Sequence, residues 1–164
     1  CEIFEAQVDL ALRFGQLLLV HTPHLDDKLY GTKRILEILK GFPLDPGRVW
    51  IDHVEEHTIR DVKDAGYWVG FTLYPITKCS FKRAVDMIER YGWDRTLVNS
   101  SADWGPSDPA TLHDCIFEFR RRGHSLQEAL EVFYNNPVRF LSQNPKFDLP
   151  LVKLDTIGAS TASL

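Results

Sequence analysis

Nowhere in these 164 residues is there a CxxC pair, a glycine-rich phosphate loop or an apolar run of membrane length. The three cysteines, Cys1, Cys79 and Cys115, follow no metal or redox spacing. An odd number of scattered thiols is the pattern of a reduced protein of the cytoplasm, not of a disulfide framework. The absence of GxGxxG and GxxxxGK[ST] removes the usual dinucleotide and nucleoside-triphosphate sites of an open α/β sheet. No segment approaches the roughly 20 apolar residues of a spanning helix. The N-terminus carries no basic region followed by a cleavage motif, so no membrane partner is expected. Positive charge is in deficit: 19 Lys and Arg against 23 Asp and Glu give a net charge of −4. Nothing therefore advertises nucleic acid or an anionic surface. The one basic cluster, Arg120-Arg121-Arg122, sits in a helical pattern and reads as a solvated helix end. What remains is a soluble globular domain, and a chain of this length buries roughly 68–70% of its unfolded surface, enough for a sizeable core.

A repeating unit is what the sequence does have. Residues 2–14 place Ile3, Phe4, Val8, Leu10, Ala11, Leu12 and Phe14 at largely helical spacing, and Gly15 stops the helix. Leu17-Leu18-Leu19-Val20 then forms a short apolar run ending in His21, the signature of a parallel strand covered on both faces. Helical spacing returns over 26–40 and is stopped by Gly41 and Pro43. The pattern recurs with a strand at 48–51 ending in Asp52-His53, a helix at about 56–65, and a strand at 67–73 ending in Tyr74-Pro75. A helix at 80–91 and a strand at 96–98, running out through Asn99 and Ser100 to Asp103, complete the series. Helices at roughly 108–122, 125–134 and 137–142 follow, with Ser107 or Asp108 as the expected N-cap of the first. The aperiodic stretch 148–164 is expected to be a loosely attached tail. Strands alternating with helices give an α/β fold with a parallel sheet, either open and doubly wound or part of a (β/α)8 barrel.

The polar residues tip that choice. His21, His24, His53, Tyr74 and Asp103 gather at the C-terminal ends of strands, where barrel enzymes keep their chemistry. His21 and His53 lie 32 residues apart, each directly after an apolar strand, so a βα repeat brings both imidazoles to one mouth. With Asp103 they make two neutral nitrogens and a carboxylate, a donor set that suits zinc or a similar divalent ion with a position left open for water. Asp103 would also accept a proton as that water becomes a nucleophile. Tyr74 and Asn99 are candidate substrate contacts, and His24 is read either as another or as part of the N-cap region of the next helix. Asp52 is read either as a group orienting His53 or as satisfying a nearby helix N-terminus. Glu55 and Glu56 are expected in the first turn of the following helix, where negative charge suits the dipole. Trp50, Trp68 and Trp93 are candidate core residues, and His57 is expected on the surface.

These residues resemble the TatD family of metal-dependent hydrolases. Residues 4–22, FEAQVDLALRFGQLLLVHT, are similar to the family segment in which a helix carrying F-x-x-Q leads into the fifth barrel strand and its metal-binding histidine, here His21. VWIDH, residues 49–53, matches the sixth strand and puts His53 on the next ligand position. SSADWG, residues 100–105, matches the end of the eighth strand, which makes Asp103 the metal-binding and proton-accepting aspartate. NNPVRFL, residues 135–141, resembles the family's C-terminal N-x-x-R helix. Over residues 51–109 the likeness extends to TatD-like hydrolases of ebo-type gene clusters.

The resemblance implies the last four βα units of a TIM barrel over residues 1–147, requiring divalent metal (Zn, Mg or Mn) and acting on a phosphoester or another small ester-like substrate. It also implies ligands that this sequence does not contain, an H-x-H pair on the first strand and a bridging Glu on the fourth. Glu2 and Glu5 lie on the helix after that fourth strand and cannot replace the bridging Glu. The chain opens at Cys1 within a helix, and the expectation is of a fragment whose open sheet edges favour self-association. A non-catalytic half barrel with an incomplete metal site is the alternative.

Overall fold

Parallel strands can be joined only by crossover connections, usually helices, and four short strands alternating with helices dictate the architecture. In a computed structural model the chain is described over residues 2–23, 27–74, 78–101 and 107–154. Helix α1 (Glu2–Arg13) leads into β1 (Leu18–His21), followed by α2 (Lys28–Lys40), β2 (Val49–Asp52), α3 (Ile59–Asp64), β3 (Trp68–Leu73), α4 (Phe81–Tyr91) and β4 (Thr96–Ser100). Helices α5 (Thr111–Arg121), α6 (Leu126–Leu130) and α7 (Asn136–Leu141) close the described chain, with a π-helical turn (Glu131–Asn135) between the last two. The strands form one parallel sheet in the order β1-β2-β3-β4. This is the α/β arrangement expected of consecutive barrel units.

Side chains alternate across the sheet and so define two faces. On the first, Val20, Val49, Ile51, Val69, Phe71, Leu73 and Val98 are buried in the main core, together with Leu36 and Leu39 of α2, Val62 of α3 and Val85 and Ile88 of α4. The second face carries Leu19 and His21 on β1, Trp50 and Asp52 on β2, Trp68, Gly70 and Thr72 on β3, and Leu97 and Asn99 on β4. At the N-terminal ends of the strands α7 covers this face: Phe140 packs edge-on against Trp50 and Trp68, with ring centroids 5.8 and 5.5 Å away. Trp68 Nε1 and Gln143 Nε2 both donate to Gly47 O, each at 2.8 Å, which ties α7 to the turn before β2. The polar residues of the second face lie toward the other end.

Some boundaries differ from the sequence expectation. Helix α3 begins at Ile59, so Glu55 and Glu56 precede it and form ion pairs instead of occupying its first turn. Helix α5 begins at Thr111 without a side-chain cap; Asp108 instead accepts from Ala110 N at 2.9 Å in the turn before it. The basic cluster is largely neutralised within the fold. Arg122 pairs with Asp86, Glu89 and Glu118, and Arg121 pairs with Glu118. Of the stretch 148–164, the described part lies against α6 and the π-helical turn: Tyr134 Oη donates to Pro150 O, Asn135 bonds both N and O of Val152, and Leu154 N donates to Gln127 Oε1. Among the described residues no helix is long and apolar enough to cross a membrane.

Candidate metal centre

The register of the first two strands starts the site. His21 and Asp52 are paired neighbours at the ends of β1 and β2, so both point from the second face. His53 follows Asp52 directly, and in an extended strand its ring would turn to the opposite face. It does not, because His53 takes φ = 60°. A left-handed conformation is unusual for a residue with a Cβ and is held only where its surroundings enforce it. Here Thr22 Oγ1 donates to Asp52 O at 2.8 Å, and Val54 N donates to Gly70 O at 2.9 Å just past the kink. The chain is thus gripped on both sides of His53, and two consecutive side chains serve one centre.

The result is close contact between the two histidines. His21 Nδ1 lies 2.9 Å from His53 Nε2, with the rings tilted by 41°. Asp52 Oδ2 faces the same gap, 3.6 Å from His21 Nδ1 and 3.8 Å from His53 Nδ1. One donor atom from each of His21, Asp52 and His53 falls within 4.8 Å of the others. His53 Nδ1 is buried and has no hydrogen-bond partner among the described residues. Burial lowers the His53 imidazole from 6.5 to about 4, against the opposing pull of Asp52 and with smaller help from Lys78, His21 and Lys28. The ring is therefore neutral at pH 7, the form that binds metals.

A charged lattice surrounds the pair. Lys28 Nζ, buried, donates to Glu55 Oε1 at 2.8 Å, and Arg83 bridges Glu55 and Glu56 at 3.0 and 2.6 Å. Burial alone would raise the Glu55 carboxyl, yet Lys28 and Arg83 hold it below its ordinary value. Lys78 Nζ sits 4.4 Å over the Tyr74 ring. Lys28, His53, Glu55, Thr72, Lys78 and Cys79 line a small recess at His53.

Of the sequence candidates, His21 and His53 are brought together as their strand-end positions predict. Asp103 and His24 lie outside the described residues. Tyr74 is buried, and its hydroxyl bonds Ser101 Oγ. Asn99 is half-buried and donates from Nδ2 to Asp52 Oδ1 at 3.2 Å. Asp52, read from the sequence as orienting His53 or satisfying a helix N-terminus, faces both histidines. Counting inward positions from His21 through the β1–β2 register would have found it, but strict alternation would then have excluded His53.

No family model matches the sequence. Over 89 residues, 54% of the chain, it is 29% identical to an uncharacterized metal-dependent hydrolase of Methanocaldococcus jannaschii, of which the match spans 35%. The solved TatD-like protein of Archaeoglobus fulgidus superposes with a TM-score of 0.66 at 24% identity, covering 85% of this chain and 53% of that one. The fold is part of a TatD-like barrel. A β-aspartyl dipeptidase of Fervidobacterium islandicum, solved with a β-Asp-Leu dipeptide, superposes at a TM-score of 0.59 and 14% identity, over 79% of this chain and 39% of that one. The chain thus spans about half the TatD-like structure and about a third of the curated hydrolase. Similarity to a metal-dependent hydrolase and a His/Asp/His donor cluster in one molecule agree on a divalent metal. The donors fit such an ion: two imidazoles and a carboxylate converge, and buried His53 Nδ1, 3.8 Å from Asp52 Oδ2, has no hydrogen-bond partner among the described residues.

Proposed function

We propose that this chain supplies the C-terminal half of a divalent-metal-dependent hydrolase barrel of the TatD type, acting in the cytoplasm on phosphoester or other ester-like bonds of a small substrate. The observation that carries the reading is the convergence of His21 and His53, 2.9 Å apart, at the strand ends of a TatD-like sheet. His21 and His53 would hold the ion, with Asp103 as the acid that the sequence resemblance supplies; zinc, magnesium or manganese would serve. Bound there, a divalent ion supplies Lewis-acid polarisation of the scissile bond and acidifies water toward a pKa of about 7. The chain's own residues do the rest. His53, kept neutral by burial, offers a lone pair at neutral pH, and the kink at its backbone fixes where that lone pair points. Asp103 accepts the proton of the attacking water. The likeness over residues 51–109 points to the branch found in ebo-type gene clusters.

The alternative is a non-catalytic half barrel, and one fact favours it: no H-x-H pair occurs anywhere in the sequence. Assay of the chain on bis(p-nitrophenyl) phosphate and p-nitrophenyl acetate separates the two. Turnover that requires added Zn²⁺ or Mn²⁺, vanishes with EDTA and falls by about 10- to 100-fold in His53→Ala, the loss typical of damage to a metal shell, supports the hydrolase. No turnover of either ester under any metal would leave the non-catalytic reading standing.

A further inference from the structure

The Asp52 carboxylate has two oxygens in two different situations. Oδ1 accepts from Thr72 Oγ1 at 2.9 Å and from Asn99 Nδ2 at 3.2 Å. Oδ2 faces the histidines at 3.6 and 3.8 Å, and no hydrogen bond among the described residues reaches it. The residue is 6% exposed, and among the described residues no lysine or arginine pairs with it. A buried carboxylate is costly to leave without a partner on one oxygen, and Thr72 and Asn99 satisfy only Oδ1. Strand β3 keeps the place open: a Cβ on Gly70 would lie 2.4 Å from Asp52 Oδ1 and 1.9 Å from Trp50 Nε1.

We propose that Asp52 is a ligand of the metal through Oδ2 alone, and that Thr72 and Asn99 are positioning residues that hold Oδ1 away from the ion. The assignment rests on the metal-site reading above. Ligands about 2 Å from one tetrahedral ion stand about 3.3 Å apart. The two separations from His21 Nδ1, 2.9 Å to His53 Nε2 and 3.6 Å to Oδ2, bracket that value, while the His53 nitrogen facing Oδ2 at 3.8 Å is Nδ1. A purely orienting role would put Oδ2 in a hydrogen bond with one ring, and both distances are too long for that. Asn99 thus acts on the carboxylate, not on a substrate. The three residues come from three strands, so the carboxylate's orientation is set by the sheet itself.

Cobalt(II) titration of the metal-free chain tests this, with affinity read by equilibrium dialysis and coordination by the visible cobalt bands. Asp52→Asn should weaken cobalt binding by more than about 100-fold and change the bands. Thr72→Val and Asn99→Ala should each weaken it by about 10-fold, while Thr72→Ser restores it. Circular dichroism checks folding, and if Asp52→Asn does not fold, the Thr72 and Asn99 variants decide. Wild-type cobalt affinity and bands in Asp52→Asn, or in both Thr72→Val and Asn99→Ala, would overturn the assignment and leave the histidine site intact. A wild-type chain that takes up no cobalt would overturn the metal site as a whole.

Discussion

His53 combines a left-handed backbone, a buried ring and a neighbour that shares its centre, and each property has a measurable consequence. Its imidazole titrates at about 4 in the fold, against 6.5 when free. Between those values the unfolded chain binds a proton that the folded chain refuses, so stability rises with pH there. The contribution is fully present above about pH 6.5 and is lost as the pH falls toward 4. Urea unfolding of the metal-free chain across this window should show that loss, and His53→Gln should flatten it. An unchanged slope in the variant would move the effect to other groups. Gly70 makes a second residue-scale test. Gly70→Ala drives a methyl into Trp50 and Asp52, and overpacking of this kind costs about 1–3 kcal/mol. Chemical denaturation measures that cost, and a variant as stable as the wild type would show that the inner face is loosely packed.

Among the elements, the stretch from α6 to α7 holds the most information. Asn135 and Asn136 are adjacent and buried but serve different ends. Asn135 clamps the backbone of Val152, whereas Asn136 Nδ2 donates to Trp93 O at 2.7 Å and Thr96 O at 3.0 Å, fastening the helix to the start of β4. Asn136→Ala removes both bonds; Trp93 O keeps Thr96 N as a donor, and the loss at buried Thr96 O should destabilise the chain by about 1–3 kcal/mol, read from the urea midpoint. Much of this level was legible in the sequence. The four strands fall within one or two residues of their expected positions because each is a short apolar run closed by a polar strand end. The π-helical turn was not legible. Pro137 has no N–H and its ring clashes with the carbonyl four residues back, and the widened turn at 131–135 lets the helix continue past it. Nor was the late start of α3, since the acids before it are held by Lys28 and Arg83, which are distant in sequence. The histidines were legible from their strand-end positions, while the turn of His53 onto the face that carries Asp52 depended on a backbone kink that no side-chain pattern records.

At the scale of the whole molecule the chain is a curved slice of a barrel. Strands β1 and β4 are the outer strands of the sheet, and no other described strand pairs with their free edges. Beside β1 an apolar groove of about 510 Å³ is lined by Phe4, Leu19, Tyr30, Ile35 and Ile38, and Leu19 is 46% exposed. Unpaired apolar edges recruit other strands. The 18.9 kDa chain is therefore expected to self-associate at micromolar concentration, and light scattering from a monodisperse, cooperatively unfolding monomer would contradict this. On the inner side of the same sheet, His21 and His53 are expected to form a metal site. Calorimetric titration of the metal-free chain with Zn²⁺ tests it most directly. Saturable zinc binding, abolished in the His21→Ala/His53→Ala double variant, is the expected result; binding of equal strength in that variant, or none in the wild type, would rule the site out.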